Sequence, residues 1–86
     1  MQQQLKSLYL DDTNITDKGI SYLKEMKQIH FLRLDGTRIT DKSVPVLSSM
    51  KNLEEIIICN TDISKKGSDE LLRLLPKCKI TVNWPR

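Results

Sequence analysis

A repeat of 24 residues constrains this chain more than any other feature. Leucine-like residues stand at Leu8, Leu32, Ile56 and Ile80, each 24 positions after the last. The same step links Leu10, Leu34, Ile58 and Val82; Thr13, Thr37 and Thr61; Ile15, Ile39 and Ile63; Leu23, Leu47 and Leu71; and Met26, Met50 and Leu74. Agreement across so many columns is not coincidence. A period of this length means that each copy is one supersecondary unit, whose apolar face is completed by the copies stacked beside it. The unit reads L-x-x-L-x-L-x-x-T-x-I-T/S-D-K-G, first over residues 5–19, and Ile20, Leu23 and Met26 follow it. Three units and a closing fourth strand fill the 86 residues.

Within a unit the apolar period changes from two, over Leu8-x-Leu10, to helical spacing over Ile20, Leu23 and Met26. That change predicts a short strand followed by a helix. Thr16, Thr40 and Ser64 stand where a helix start needs a capping oxygen, and Asp17 and Asp41 just after them oppose the positive end of the helix dipole. Lys65 takes that place in the third unit, so the third helix is expected to have the weakest start on charge grounds, with Asp69 and Glu70 compensating. Gly19, Ser43 and Gly67 share a column, which points to close approach of the first helical turn to a neighbouring backbone. Pro45 lacks the N–H that a helix starting at Asp41 would use, so the second helix is expected to open with a tight or displaced turn.

Through L-x-x-L-x-L-x-x-T-x-I at residues 5–15, 29–39 and 53–63, the chain resembles the leucine-rich repeat family. The I-T-D-K-G of residues 15–19 and I-T-D-K-S of 39–43 are similar to the cysteine-containing subtype and related bacterial repeats. The turn column here holds Thr13, Thr37 and Thr61, so hydroxyls are expected to bond the turn backbone where that subtype has a cysteine ladder. The ending Leu75-Pro76-Lys77-Cys78-Lys79-Ile80 resembles the closure of such arrays. The likeness spans residues 5–82. It implies an α/β solenoid with a parallel sheet on the concave face, helices on the convex face and a role in protein binding, and it implies no catalytic residue. Strand-helix-strand crossovers are right-handed in nearly all cases, so a right-handed superhelix is expected.

Residues 1–86 read as a single domain. Pro76, Cys78, Ile80, Val82 and Trp84 would supply a final strand and lid, whereas only Met1 to Gln4 precede the first unit at Leu5. An open sheet edge is a pairing hazard. The expectation is therefore that the chain is the C-terminal part of a longer repeat array; the other reading is self-association through the Leu5 to Leu10 edge.

At this size the chain hides only about 60% of the surface that it exposes unfolded, so function is expected on the surface and not in a deep cavity. No P-loop, G-x-S-x-G, H-E-x-x-H or paired C-x-x-C occurs, and His30 is the only histidine. The expectation is a non-enzymatic chain with no cofactor and no metal. The apolar run Ile56-Ile57-Ile58-Cys59 is far short of the roughly 20 residues that span a bilayer, and residues 1–4 carry no secretory signal. A cytoplasmic setting without membrane or nucleic-acid contact is expected. The net charge of +3 is mild, and Lys18, Lys24, Lys27, Lys42, Lys51, Lys65, Lys66 and Arg73 load the helical side without interleaved stacking aromatics other than Tyr22. Cys59 and Cys78 occupy strand columns about 17 Å apart, too far for an internal disulfide.

The residues of each strand that point away from the core form three ladders, because side chains alternate along a strand. Ser7, Phe31, Glu55 and Lys79 make the first; Tyr9, Arg33, Ile57 and Thr81 the second; Asp11, Asp35, Cys59 and Asn83 the third. Strands about 4.8 Å apart bring ladder neighbours together. Tyr9, Phe31, Arg33 and Ile57 therefore form the expected centre of a binding patch for a protein partner, since aromatic and Arg side chains are the commonest energetic anchors. Asp11, Asp35 and Cys59 border it. Asp11, Asp12 and Asp35 cluster at the strand ends and, with Asp62 in a later turn, could attract a cation or a basic partner, but the stronger reading is that Asp suits the turns in which these residues lie.

Overall fold

A computed structural model describes residues 6–83. Leu5 and Trp84, to which the sequence assigned the start of the first unit and part of the closing lid, lie outside the described residues. The chain runs through β1 (Ser7–Tyr9), α1 (Asp17–Ile20) continued by a 3-10 segment (Ser21–Glu25), β2 (Phe31–Arg33), a 3-10 turn (Asp41–Ser43) leading into α2 (Val44–Ser49), β3 (Glu55–Ile57), α3 (Lys65–Leu74) and β4 (Lys79–Thr81). The four strands form one parallel sheet in chain order. Each strand pairs with its counterpart 24 residues on: Leu8 faces Leu32, Leu32 faces Ile56 and Ile56 faces Ile80. The sequence period and the sheet register are one quantity. A slip of a single residue would turn every core side chain to the open face.

One face of the sheet packs on the helices. Leu32 and Ile56 from the strands, with Leu34 and Ile58 just beyond them, meet Ile20, Leu23, Leu47 and Leu71 from the helices in a single core, all at most 6% exposed. Leu8, Leu10, Ile80 and Val82 in the first and last strands are only partly buried against it. Burial of each core Leu or Ile contributes about 1.5–3 kcal/mol.

The turn after each strand is built the same way. Asp12, Gly36 and Asn60, 24 residues apart, take positive φ values of 57°, 71° and 57°. Asp, Gly and Asn are the residues that enter this region at least cost. One residue further on, the threonine column works as expected: Thr13, Thr37 and Thr61 Oγ1 donate to the carbonyls of Leu10, Leu34 and Ile58 at 2.8, 2.8 and 3.0 Å.

The helix starts differ from expectation in an informative way. Asp17 and Asp41 do more than face their own helix dipoles; each reaches into the next unit. Thr40 N–H and Oγ1–H donate to Asp17 Oδ1 and Oδ2 at 2.8 and 2.6 Å, and Ser43 Oγ–H donates to Oδ1 at 2.6 Å. Asp41 repeats the device, accepting from Ser64 N–H at 2.8 Å and from its Oγ–H at 2.6 Å. Because Thr40 and Ser64 give their hydroxyl protons to these carboxylates, their oxygens turn a lone pair towards their own helices. They accept from Lys42 N and Gly67 N at 3.1 and 3.0 Å. Thr16 has nearly the same backbone angles as Thr40, yet its side chain caps nothing. The difference is the carboxylate: among the described residues Thr16 has none behind it to orient its hydroxyl.

This corrects the reading of the glycine column as an approach to backbone. A side chain at Gly67 would run into the Asp41 carboxylate and Ile63, and one at Gly19 into Ile15, while Ser43 in the same column is a donor to Asp17. Crowding by side chains, with a carboxylate at two of the three positions, is the constraint. The third helix, expected to start weakest, is the longest at ten residues. Ser64 caps it, and Lys65–Asp69 (3.1 Å) and Arg73–Glu70 (2.5 Å) pairs brace its exposed face. Pro45 has the effect expected of it: α2 begins only after the 3-10 turn, with Pro45 in its first turn, where the missing N–H costs nothing.

Candidate recognition surface on the open sheet face

The strand residues that point away from the helices fall into the three ladders expected from alternation. Ser7 faces Phe31, Phe31 faces Glu55 and Glu55 faces Lys79; Tyr9 faces Arg33, Arg33 faces Ile57 and Ile57 faces Thr81. Alternation also sets exposure. In β2 and β3 the central residues Leu32 and Ile56 are buried, and Phe31, Arg33, Glu55 and Ile57 on either side of them are half-buried.

Tyr9 stands out, with 60% of its surface in solvent. Its ring meets Phe31 edge to face, centroids 5.4 Å apart and planes at 71°. The Arg33 guanidinium lies 5.5 Å from the Tyr9 ring centre, a cation–π contact. Arg33 Nη2 sits 2.8 Å from Asp11 Oδ2 and 3.7 Å from Asp35 Oδ2, and its Nε is shielded from solvent with no hydrogen-bond partner. The side chain therefore lies along the sheet, and its charge is turned to the acids beside it. The exposed Tyr9 ring is held from two sides before any partner arrives, so little side-chain freedom is left to lose on binding. Ile57 continues the Tyr9–Arg33 row on β3.

Asp11, Asp35, Cys59 and Asn83 follow at the carboxyl ends of the strands, tied across the sheet. Asp35 N–H donates to Asp11 Oδ1 at 3.3 Å, Cys59 N–H to Asp35 Oδ1 at 3.1 Å and Asn60 N–H to Asn83 Oδ1 at 3.2 Å. Burial, then the nearby Asp35 charge, pushes the Cys59 thiol above its ordinary value, so it is a poor nucleophile. Cys78 is buried, and burial, with Glu55 adding, pushes its thiol up to about 11. Both cysteines are free thiols. Among the described residues, no three His, Cys, Asp or Glu side chains are grouped to hold a metal ion. His30, at the other end of the strands, pairs through Nδ1 with Glu54 at 3.1 Å.

A groove of about 540 Å³ lies on the helical side between α2 and α3, bordered by Val44, Pro45, Ser48, Lys66, Glu70 and Leu74. None of the strand residues above lines it. Its apolar floor is the gap left where the short α2 meets the longer α3, and the sequence pattern gave no sign of it. The basic side chains expected on the helical side, Lys18, Lys24, Lys27, Lys42, Lys51, Lys65, Lys66 and Arg73, are all exposed. Among the described residues no helix is long and apolar enough to cross a membrane.

Sequence reasoning found the ladders and missed the partner of Arg33. A single cation flanked by Asp11 and Asp35 on adjacent strands was the available signal. No protein-family model matches the chain, and no curated protein matches it.

Proposed function

We propose that the chain is a leucine-rich-repeat solenoid with a right-handed turn, serving as a non-enzymatic recognition module that holds a protein partner on the open face of its parallel sheet. The supporting observation is the preset cluster of Tyr9, Phe31 and Arg33, a tyrosine left mostly in solvent and braced from two sides. Aromatic and Arg side chains placed centrally in a surface are the usual energetic anchors of protein interfaces. Ile57 completes the centre, and Asp11, Asp35 and Cys59 form the surround. The free thiols Cys59 and Cys78 fit a reducing, cytoplasmic setting.

The test is a selection of binders from a random twelve-residue peptide display library on the full chain, run beside a Tyr9→Ala/Phe31→Ala variant. The expected result is a set of peptides that bind the wild type and bind the variant at least about tenfold more weakly, with the melting temperature little changed. Peptides that bind both proteins equally would overturn the proposal, as would a selection that yields no binder.

A second reading is favoured by one column. Asp17 locks the first unit to the second and Asp41 the second to the third, and Lys65 stands where the next acceptor would be. On that reading the segment closes a larger array and activity lies elsewhere. A fall in melting temperature in the double alanine variant, with no binders to the wild type, would favour it.

A further inference from the structure

Charge is unevenly placed along the strands of the open face. At their amino ends Lys6, His30, Glu54, Glu55 and Lys79 mix both signs. At their carboxyl ends the groups nearest the Tyr9–Arg33 row are Asp11, Asp12 and Asp35, with Asp62 exposed in a later turn. Among the described residues Asp11 and Asp35 together outnumber Arg33, the cation in contact with them, two charges to one. Asp12 adds to the excess: its Oδ1 lies over Gly36, so that it leans across the second turn beside Asp35. Arg38 is the one basic residue of these turns and is exposed. The acidic end is local to this edge of the face, for the chain as a whole carries +3.

Arg33 does not serve as an arm for an anion. It lies flat, paired with Asp11 and covered at Nε. An acidic or phosphorylated ligand would meet two or three carboxylates and one spent guanidinium. A basic ligand meets unbalanced acid beside an exposed aromatic ring. Tyr9 ends β1 and Asp11 follows two residues on, where the turn begins, no more than about 6.6 Å away at ~3.3 Å per residue. An extended ligand running along the strand has that same spacing between side chains two residues apart.

Resting on the recognition reading above, we infer that the partner presents an extended segment of the form apolar-x-basic. Its apolar side chain covers Tyr9 against Phe31 and Ile57, and its lysine or arginine, two residues on, sits among Asp11, Asp12 and Asp35. The apolar contact supplies most of the affinity, and the charge sets register and direction on the sheet.

The same twelve-residue library, selected on the full chain, separates this inference from the reading beneath it. The expected outcome is enrichment of peptides with an apolar residue followed at the second position by Lys or Arg. Changing that basic residue to Glu in an enriched peptide is expected to weaken binding to the wild type at least about tenfold, and this comparison needs no protein variant. In Asp11→Asn/Asp35→Asn, which keeps an Oδ1 acceptor at both positions, the preference for basic peptides is expected to fall while the need for the apolar residue persists. Peptides that depend on Tyr9 but are neutral or acidic at the second position would overturn the inference and leave the recognition reading standing. A selection with no Tyr9-dependent peptides would overturn both. Sedimentation of the chain alone, if it showed a dimer that Tyr9→Ala dissociates, would make a second copy the occupant and would also overturn the inference.

Discussion

Removing the Asp17 carboxylate tests whether the units are held in register by side chains as well as by the sheet. Asp17→Ala deletes three hydrogen bonds, from Thr40 N–H, Thr40 Oγ1–H and Ser43 Oγ–H. It also leaves the Ser43 hydroxyl, in a residue only 1% exposed, without its acceptor. A hydrogen bond to a charged group contributes about 1.5–3 kcal/mol when buried. Asp17 is only half-buried and its three bonds are not independent, so the expected loss is about 2–4 kcal/mol, or a fall of roughly 10–20 °C in melting temperature for a domain of this size. Asp41→Ala removes two bonds from an exposed carboxylate and is expected to cost about 1–2 kcal/mol.

Acid titration adds a second arm. Burial raises the Asp17 carboxyl, but the hydrogen bonds from Ser43 and Thr40 and the charge of Lys42 outweigh it, so the group titrates below its ordinary value of 3.8. The folded state therefore favours the carboxylate. The resulting stability is present above the ordinary value and is lost as pH falls through the lower, folded one. In urea melts, the advantage of the wild type over Asp17→Asn should be constant above about pH 5 and shrink below pH 3.8. A loss under about 0.5 kcal/mol for Asp17→Ala, typical of an exposed surface change, would refute the interlock, as would a larger loss for Asp41→Ala than for Asp17→Ala.

Gly36→Ala puts a Cβ at a φ of 71° and against the Asp12 carboxylate, and is expected to cost about 1–3 kcal/mol by thermal melting. Thr37→Val removes the hydroxyl bond to the Leu34 carbonyl at a residue 2% exposed, leaving that oxygen only the longer 3.4 Å bond from Thr37 N–H, and should cost about 1–2 kcal/mol, whereas Thr13→Val, in an exposed turn, should cost less than half as much. Under native conditions at pH 8, iodoacetamide should modify Cys59 slowly and Cys78 not at all; both should react fast in urea, and mass spectrometry would show the order.

The apolar columns carried the sheet register and the identity of the outward ladders into plain view, because alternation in a parallel sheet leaves a residue only two faces to choose from. Pro45 announced the displaced start of α2 because its missing N–H acts locally. Asp17 and Asp41 were read only in part, because a local role, facing the helix dipole, was sufficient for each taken singly. Lys65 in the third unit was the clue, since an acid would favour every helix start alike, whereas the links forward are made by the first two units alone among the described residues. The positive φ column of Asp12, Gly36 and Asn60 was hidden by its chemistry: three different residue types meet one backbone demand, so no identity repeats. The groove between α2 and α3 depends on how a six-residue helix meets a ten-residue one, a length difference no column records. Among the outward residues, sequence order placed Arg33 correctly but not its direction, which follows from competition among Tyr9, Asp11 and Asp35 for one guanidinium.

The central claim is that the open sheet face is where this chain meets its partner. Backbone amide spectra of the isotope-labelled full chain, recorded while a selected peptide is added, test it directly. The account predicts shifts concentrated at Tyr9, Phe31, Arg33 and Ile57, with Asp11 and Asp35 following. Shifts gathered along Val44, Ser48, Lys66 and Glu70, with the strand amides unmoved, would place the binding site in the groove between α2 and α3 and contradict it.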